Sequence, residues 1–188
     1  DSGTIVEIVD TDEVIIESTN VTDKMLVIAG ATNPAQIILD DNISVGNQLL
    51  LKAEIGVSQQ RGFISVDTLL LDGAGDFTLA NPNEVNRLGA AITGNLDFSN
   101  DVELAIVKDE FFDLTGAATS FMGVVIDSGF FDGNLQITTD NEKVTQDTNA
   151  HIQVADTATF NLGSGELDLV FGDSNADLLN DNDINVLA

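Results

Sequence analysis

Apolar residues fall in short runs along the whole chain, at 4–9, 13–17, 25–29, 36–39, 48–53, 63–66, 68–71, 76–79 and 95–98. The series resumes at 102–107, 124–127, 134–138, 151–154, 157–161 and 166–170. Gly, Asn, Asp or Ser bounds each run, the punctuation of strands rather than of helices. No long segment carries apolar residues at i, i+3, i+4 and i+7, so helices are not expected. Alternation within the runs points Leu69, Leu71, Phe77, Leu79, Leu96, Phe98, Leu167 and Leu169 inward. It points Thr68, Thr78, Asp97 and Asp168 outward. Phe63, Phe77, Phe98, Phe160 and Phe171 are expected to fill the wider corners of the interior.

Two all-β architectures fit such runs, and the breaks between them discriminate. An antiparallel sandwich favours tight hairpin turns, for which only Asp72-Gly73 and Asp132-Gly133 are suited. Most breaks are single Gly, Asn or Asp-Asn corners, which suit a chain that bends and continues around a coil. An internal repeat points the same way. Gly56-Val57-Ser58-Gln59, then Phe63-Ile64-Ser65-Val66, Asp67-Thr68-Leu69-Leu70-Leu71 and Gly73-Ala74-Gly75 return later in order. The later copy reads Lys143-Val144-Thr145-Gln146, His151-Ile152-Gln153-Val154, Asp156-Thr157-Ala158-Thr159-Phe160 and Gly163-Ser164-Gly165. The approximate 88-residue repeat, 46–106 and 133–188, equals about four coils of roughly 20 to 22 residues. The expectation is therefore one domain over 1–188, or a fragment of a longer rod: a parallel β-helix of about nine coils. An antiparallel β-sandwich is the alternative.

Composition narrows what such a fold does. Hydrophobic residues make up 43% of the chain, enough for a true core, yet all aromatics are Phe. Thirty-two acidic residues against six basic ones leave a net charge of −26. Nucleic acid and anionic membrane surfaces are repelled by that field. No run approaches 18 apolar residues, so no helical membrane insertion is expected. With no cysteine, disulfides and Cys-metal centres are excluded. The acidic start at Asp1 shows no leader, which reads as a removed leader or an internal piece.

Residues 56–106, from Gly56-Val57-Ser58-Gln59 through Thr68-Leu69-Leu70-Leu71 and Gly73-Ala74-Gly75-Asp76 to Asn83-Glu84-Val85, resemble a known pattern. The string is similar to the repeats of filamentous-haemagglutinin-like large exoproteins, well over 46–106 and more loosely over 129–188. The resemblance implies a right-handed parallel β-helix exported by two-partner secretion, serving in adhesins, biofilms or toxin stalks. Asn81-Pro82-Asn83 is similar to a motif of that family's secretion domain, but its mid-repeat position and the following Glu84-Val85 mark it as an ordinary corner.

Candidate chemistry is sparse. Acidic clusters stand at Asp10-Thr11-Asp12-Glu13, at Asp40-Asp41, at Asp109-Glu110 with Asp113, and at Asp181-Asn182-Asp183. Ca²⁺ needs six to eight oxygens, and no EF-hand or β-roll string is present. Asp181 and Asp183 are the candidate Ca²⁺ ligands; no other cofactor is expected. His151 has no partner motif and reads as a surface or turn residue, and polysaccharide-active chemistry lacks the bases and aromatic platforms it uses. Asn20-Val21-Thr22 and Asn42-Ile43-Ser44 match the short glycosylation pattern weakly. The expectation is an extracellular structural protein, not an enzyme, secreted to a bacterial surface or filament. Its partner is itself or more of the same rod, through strand-edge and end-to-end contacts. An adhesin binding host or matrix carbohydrate, or Ca²⁺, is the alternative, and a polysaccharide-active enzyme the third.

Overall fold

A computed structural model describes residues 5–30, 32–127 and 133–169, together with the backbone of 183–187. These residues form strands joined by corners, with no helix among them. Every pairing in the main sheet is parallel, each strand lying on the strand one turn along the chain. The fold is thus a parallel β-solenoid of about eight turns, and the sandwich alternative is excluded. Seven steps of about 4.8 Å give a stack roughly 35 Å long. The turns number fewer than a division by coil length suggests, because one stretch leaves the coil altogether.

Three faces make up each turn. The first stacks Ile5–Asp10, Lys24–Ala29, the ends of Ile43–Ala53, Ile64–Ala74 and Asp76–Thr93, Gly123–Asp127, the start of His151–Asn161, and Asp183. The second stacks Val14–Ile16, Gln36–Leu39, Gly56–Gln59, the start of Asp76–Thr93, Leu96–Asn100, Leu135–Thr139 and the end of His151–Asn161. The third stacks Thr19–Val21 on the starts of Ile43–Ala53 and Ile64–Ala74, and continues in Leu104–Ile106, Val144–Gln146 and Leu167–Asp168, which overlap the first face where Ala105 lies opposite Arg87.

Alternation feeds one continuous core. On the first face Ile8, Val27, Leu51, Leu71, Ala90, Val124 and Ile152 lie in register. On the second, Val14, Ile37, Val57, Phe77, Leu96, Leu135 and Ala158 do the same. Stacking like on like lets each aliphatic side chain contact the rungs above and below it. Leu69, Leu71, Phe77, Leu79, Leu96 and Phe98 are buried as alternation requires, and Leu167 and Leu169 pack partly against the core. The phenylalanines correct the sequence expectation. Phe77 and Phe98 fill the flat second face rather than corners, Phe63 is 38% exposed, and Phe171 lies outside the described residues. Phe160 is half-buried beside Ile137.

The corner between second and third faces is polar yet buried. Asn100 Oδ1 accepts from the Val85 amide at 2.9 Å, while its Nδ2 donates to the carbonyls of Val85 and Val102. Asn83 Oδ1 accepts from the Ile64 amide and from Gln59, and its Nδ2 donates to the carbonyls of Leu79 and Ser99. Each asparagine thereby satisfies main-chain groups that the bend takes out of the ladder.

Between Leu104–Ile106 and Gly123–Asp127 the chain departs from the solenoid. Asp109–Phe112 and Ala118–Phe121 pair antiparallel as a separate two-stranded sheet. This hairpin lies against the outside of the first face.

Candidate functional site

Three outward columns mark the first face. One runs Lys24, Gln48, Thr68, Arg87; the next Leu26, Leu50, Leu70, Gly89; the third Ile28, Lys52, Asp72, Ala91. Leu26, Leu50 and Leu70 point away from the solenoid interior yet are at most 3% exposed, because Phe111 and Phe121 of the hairpin cover them. The result is a second, smaller apolar cluster on the outside of the coil.

The hairpin's register puts Asp109, Phe111, Thr119 and Phe121 on the side toward the solenoid and Glu110, Phe112, Ala118 and Ser120 on the other. Gly89 allows the close approach: a Cβ there would lie 2.9 Å from Leu70 Cδ2 and 3.2 Å from Phe121 Cβ. Polar contacts are few. Gln48 Nε2 donates to the Glu110 carbonyl at 3.2 Å, Arg87 stands 3.9 Å from the Asp109 carboxylate, and the Lys24 ammonium lies 5.9 Å from the centroid of the Phe111 ring. Gln48 Oε1 is buried with no hydrogen-bond partner among the described residues. At the hairpin tip, Asp113 accepts from the amides of Thr115 and Ala117 and from the Thr115 hydroxyl. The Thr115 hydroxyl, then the amides, hold the Asp113 carboxyl below the usual carboxylate range.

Sequence reasoning missed this element. Asp109, Glu110 and Asp113 read as an acidic cluster, and nothing marked 109–112 or 118–121 as strands. The available signal lay in the partner surface. Met25-Leu26-Val27, Leu49-Leu50-Leu51 and Leu69-Leu70-Leu71 break the inward–outward alternation, as strands covered on both sides do. Thr68, placed outward by alternation, does point outward but is buried at the edge of the hairpin's footprint.

The other clusters resolve into local bonds. Asp10 accepts from the Asp12 amide, Glu13 accepts from Gln36 on the next turn, and Asp41 accepts from the Asn42 amide. Asp40 receives a bidentate pair from Arg61, Nε to Oδ1 at 2.9 Å and Nη2 to Oδ2 at 2.6 Å. The Arg61 hydrogen bonds hold the Asp40 carboxyl below the usual range. Among the described residues no three of His, Cys, Asp and Glu converge to hold a metal. Asp181 lies outside the described residues, while the backbone of Asp183 opens the strand Asp183–Leu187 opposite Gln153. His151 starts a strand rather than sitting in a turn, and its Nε2 is buried with no hydrogen-bond partner among the described residues. Asn20 is exposed opposite Ser44, and Asn42 Oδ1 accepts from the Phe63 amide.

A further surface is the outer side of the first described rung. Ile5–Asp10 pairs with Lys24–Ala29 on one side and with no described strand on the other. The inward Val6 at that end is 36% exposed, whereas its in-register neighbour Met25 is buried.

No protein-family model, curated protein or solved structure matches the chain.

Proposed function

We propose that this chain is a segment of a structural rod, secreted to a bacterial surface or extracellular filament, whose work is reach and assembly rather than catalysis. The observation that carries the reading is the parallel register kept from turn to turn, with no described strand on the outer side of Ile5–Asp10. Unpaired N–H and C=O groups along such an edge accept a further coil, from the same rod or a second copy, in the same register. The exposed Val6 at that end adds apolar area to the contact. A net charge of −26, spread over outward positions, keeps rods from coalescing side by side. The likeness of residues 46–106 to exoprotein repeats supports the same assignment, including its extracellular setting.

Negative-stain imaging tests the proposal directly. The chain is expected to form end-to-end fibres at high concentration, and Val6→Lys, an inward-pointing charge at the open rung, is expected to abolish them. Fibres indifferent to Val6→Lys would remove the free edge as the assembling element.

A further inference from the structure

The hairpin 109–121 joins the backbone of the solenoid at two pinned points. Before it, the Val107 amide donates to the Leu88 carbonyl at 3.0 Å; after it, the Met122 carbonyl accepts from the His151 amide at 2.7 Å. Between these points its two strands bond each other and form a sheet apart from the main one. Its hold on the coil is Phe111 and Phe121 on the leucine column, aided by the Gln48 donor, by Arg87 near Asp109 and by Lys24 over the Phe111 ring. A lone two-stranded hairpin is marginal in water, so it opens at a lower free energy than the stacked turns beneath it.

Charge singles out the same place. Of six basic residues, Lys24, Lys52 and Arg87 stand in the outward columns of this face, and Lys108 leads into the hairpin. Only Arg61 and Lys143 lie elsewhere. Lys52 is paired with Asp72 at 2.6 Å and Glu7 heads the leucine column, so Lys24, Arg87 and Lys108 are the cations that favour the approach of a second acidic copy here. Its own hairpin brings Asp109, Phe111 and Phe121 in the arrangement the face already accepts.

We propose that the hairpin is an exchangeable strap, and that the Leu26–Leu50–Leu70 column is the docking site for the hairpin of a second copy. Exchange reproduces between two chains the contacts made within one, so it carries little intrinsic cost. It rests on the hairpin's geometry and is independent of the end-to-end contact. Exchange closes at a dimer, while edge stacking has no upper limit.

The absence of cysteine makes an introduced thiol a clean reporter. Leu50 and Leu51 are adjacent on one strand, the first under the strap and the second inside the coil. Under native conditions Leu50→Cys is expected to react with a thiol reagent at least about 100-fold faster than Leu51→Cys. Gly89→Val, which crowds Phe121, is expected to raise the Leu50→Cys rate and leave the Leu51→Cys rate unchanged. Equal rates at the two positions overturn the strap. Should Leu51→Cys fail to fold, hydrogen exchange of the unsubstituted chain gives the same comparison, with 109–121 expected to exchange ahead of 43–53. After brief warming below the main melting transition, sedimentation equilibrium is expected to show a dimer. The dimer is expected to survive Val6→Lys and to vanish in Phe111→Ala/Phe121→Ala. A chain that labels fast but stays monomeric at every concentration, or a dimer indifferent to both phenylalanines or lost with Val6→Lys, overturns the exchange.

Discussion

Asn83 and Asn100 are fully buried, and each bonds main-chain groups on both sides of a bend. Asn and Asp mark many of the corners in the sequence, but among the described residues Asn141 is the one non-glycine with positive φ. The buried asparagines work instead through their amides, which replace the main-chain bonds lost at a bend. Asn100→Ala strands the Val85 amide and two carbonyls, and is expected to cost about 3 kcal/mol in denaturant unfolding. Asn86→Ala, whose side chain meets Asp67 at the surface, is expected to change stability by less than about 0.5 kcal/mol. Gly56 has φ +113° and lies so close below the next turn that a Cβ would sit 2.1 Å from the Asp76 carbonyl oxygen. No side chain fits there without moving the rung. The ionic residues matter in a narrower way. Asp40 and Asp113 have folded pKa values below their unfolded ones, so their contributions are complete above the ordinary carboxylate pKa of about 3.9. Those contributions are lost as pH falls through the lower folded values. Arg61→Ala is expected to bring the Asp40 titration back up, read by carboxyl chemical shifts, with little change in stability at neutral pH because the pair is exposed.

At the scale of the element, alternation made most strands legible and concealed the two of the hairpin, along with Thr19–Val21 and the later part of Asp76–Thr93. Period-two runs placed Leu69, Leu71, Phe77, Leu79, Leu96 and Phe98 correctly, because each strand of a solenoid has a dry side and a wet side. The three-residue apolar runs around Leu26, Leu50 and Leu70 depart from that rule, and the hairpin is the reason. Its own strands are short, and Asp109, Glu110 and Asp113 disguise them as a loop. Phe98 and Phe121 are both fully buried, yet they belong to different apolar clusters. Phe98→Ala opens a cavity between stacked rungs and is expected to lower the main unfolding transition by about 3–5 kcal/mol. Phe121→Ala is expected to free the hairpin, seen as loss of hydrogen-exchange protection over 109–121, while protection over 64–74 persists.

For the molecule as a whole, register and charge oppose one another. Parallel stacking draws like side chains into columns, and an acidic sequence therefore stacks carboxylates along the outside. Asn and Gln relieve this at several rungs: Asn95 bonds Asp76, Gln136 bonds Asp97, and Asn47 bonds Asp23. The remaining repulsion is long-range and screened by salt, so the melting temperature is expected to climb steadily with NaCl. Ca²⁺ at matched ionic strength is expected to add nothing beyond screening. An extra rise removed by Asp181→Asn with Asp183→Asn would instead assign a metal site to those two residues. The internal repeat also acquires a geometric meaning. Gly56–Gln59 lies on the second face, while its later counterpart Val144–Gln146 lies on the third. The repeat advances by three turns and one face, because the hairpin occupies residues that would otherwise build coil.

From sequence alone came the strand alphabet, the corners, the solenoid and the net charge of −26. These follow from local periodicity and total charge, which no tertiary contact can alter. Tertiary structure alone decided which apolar residues form a second cluster outside the coil, how buried asparagines bond, and which face gathers the cations. Those depend on residues far apart in the chain meeting across turns, and a side chain's neighbour one rung away is invisible until the register is set.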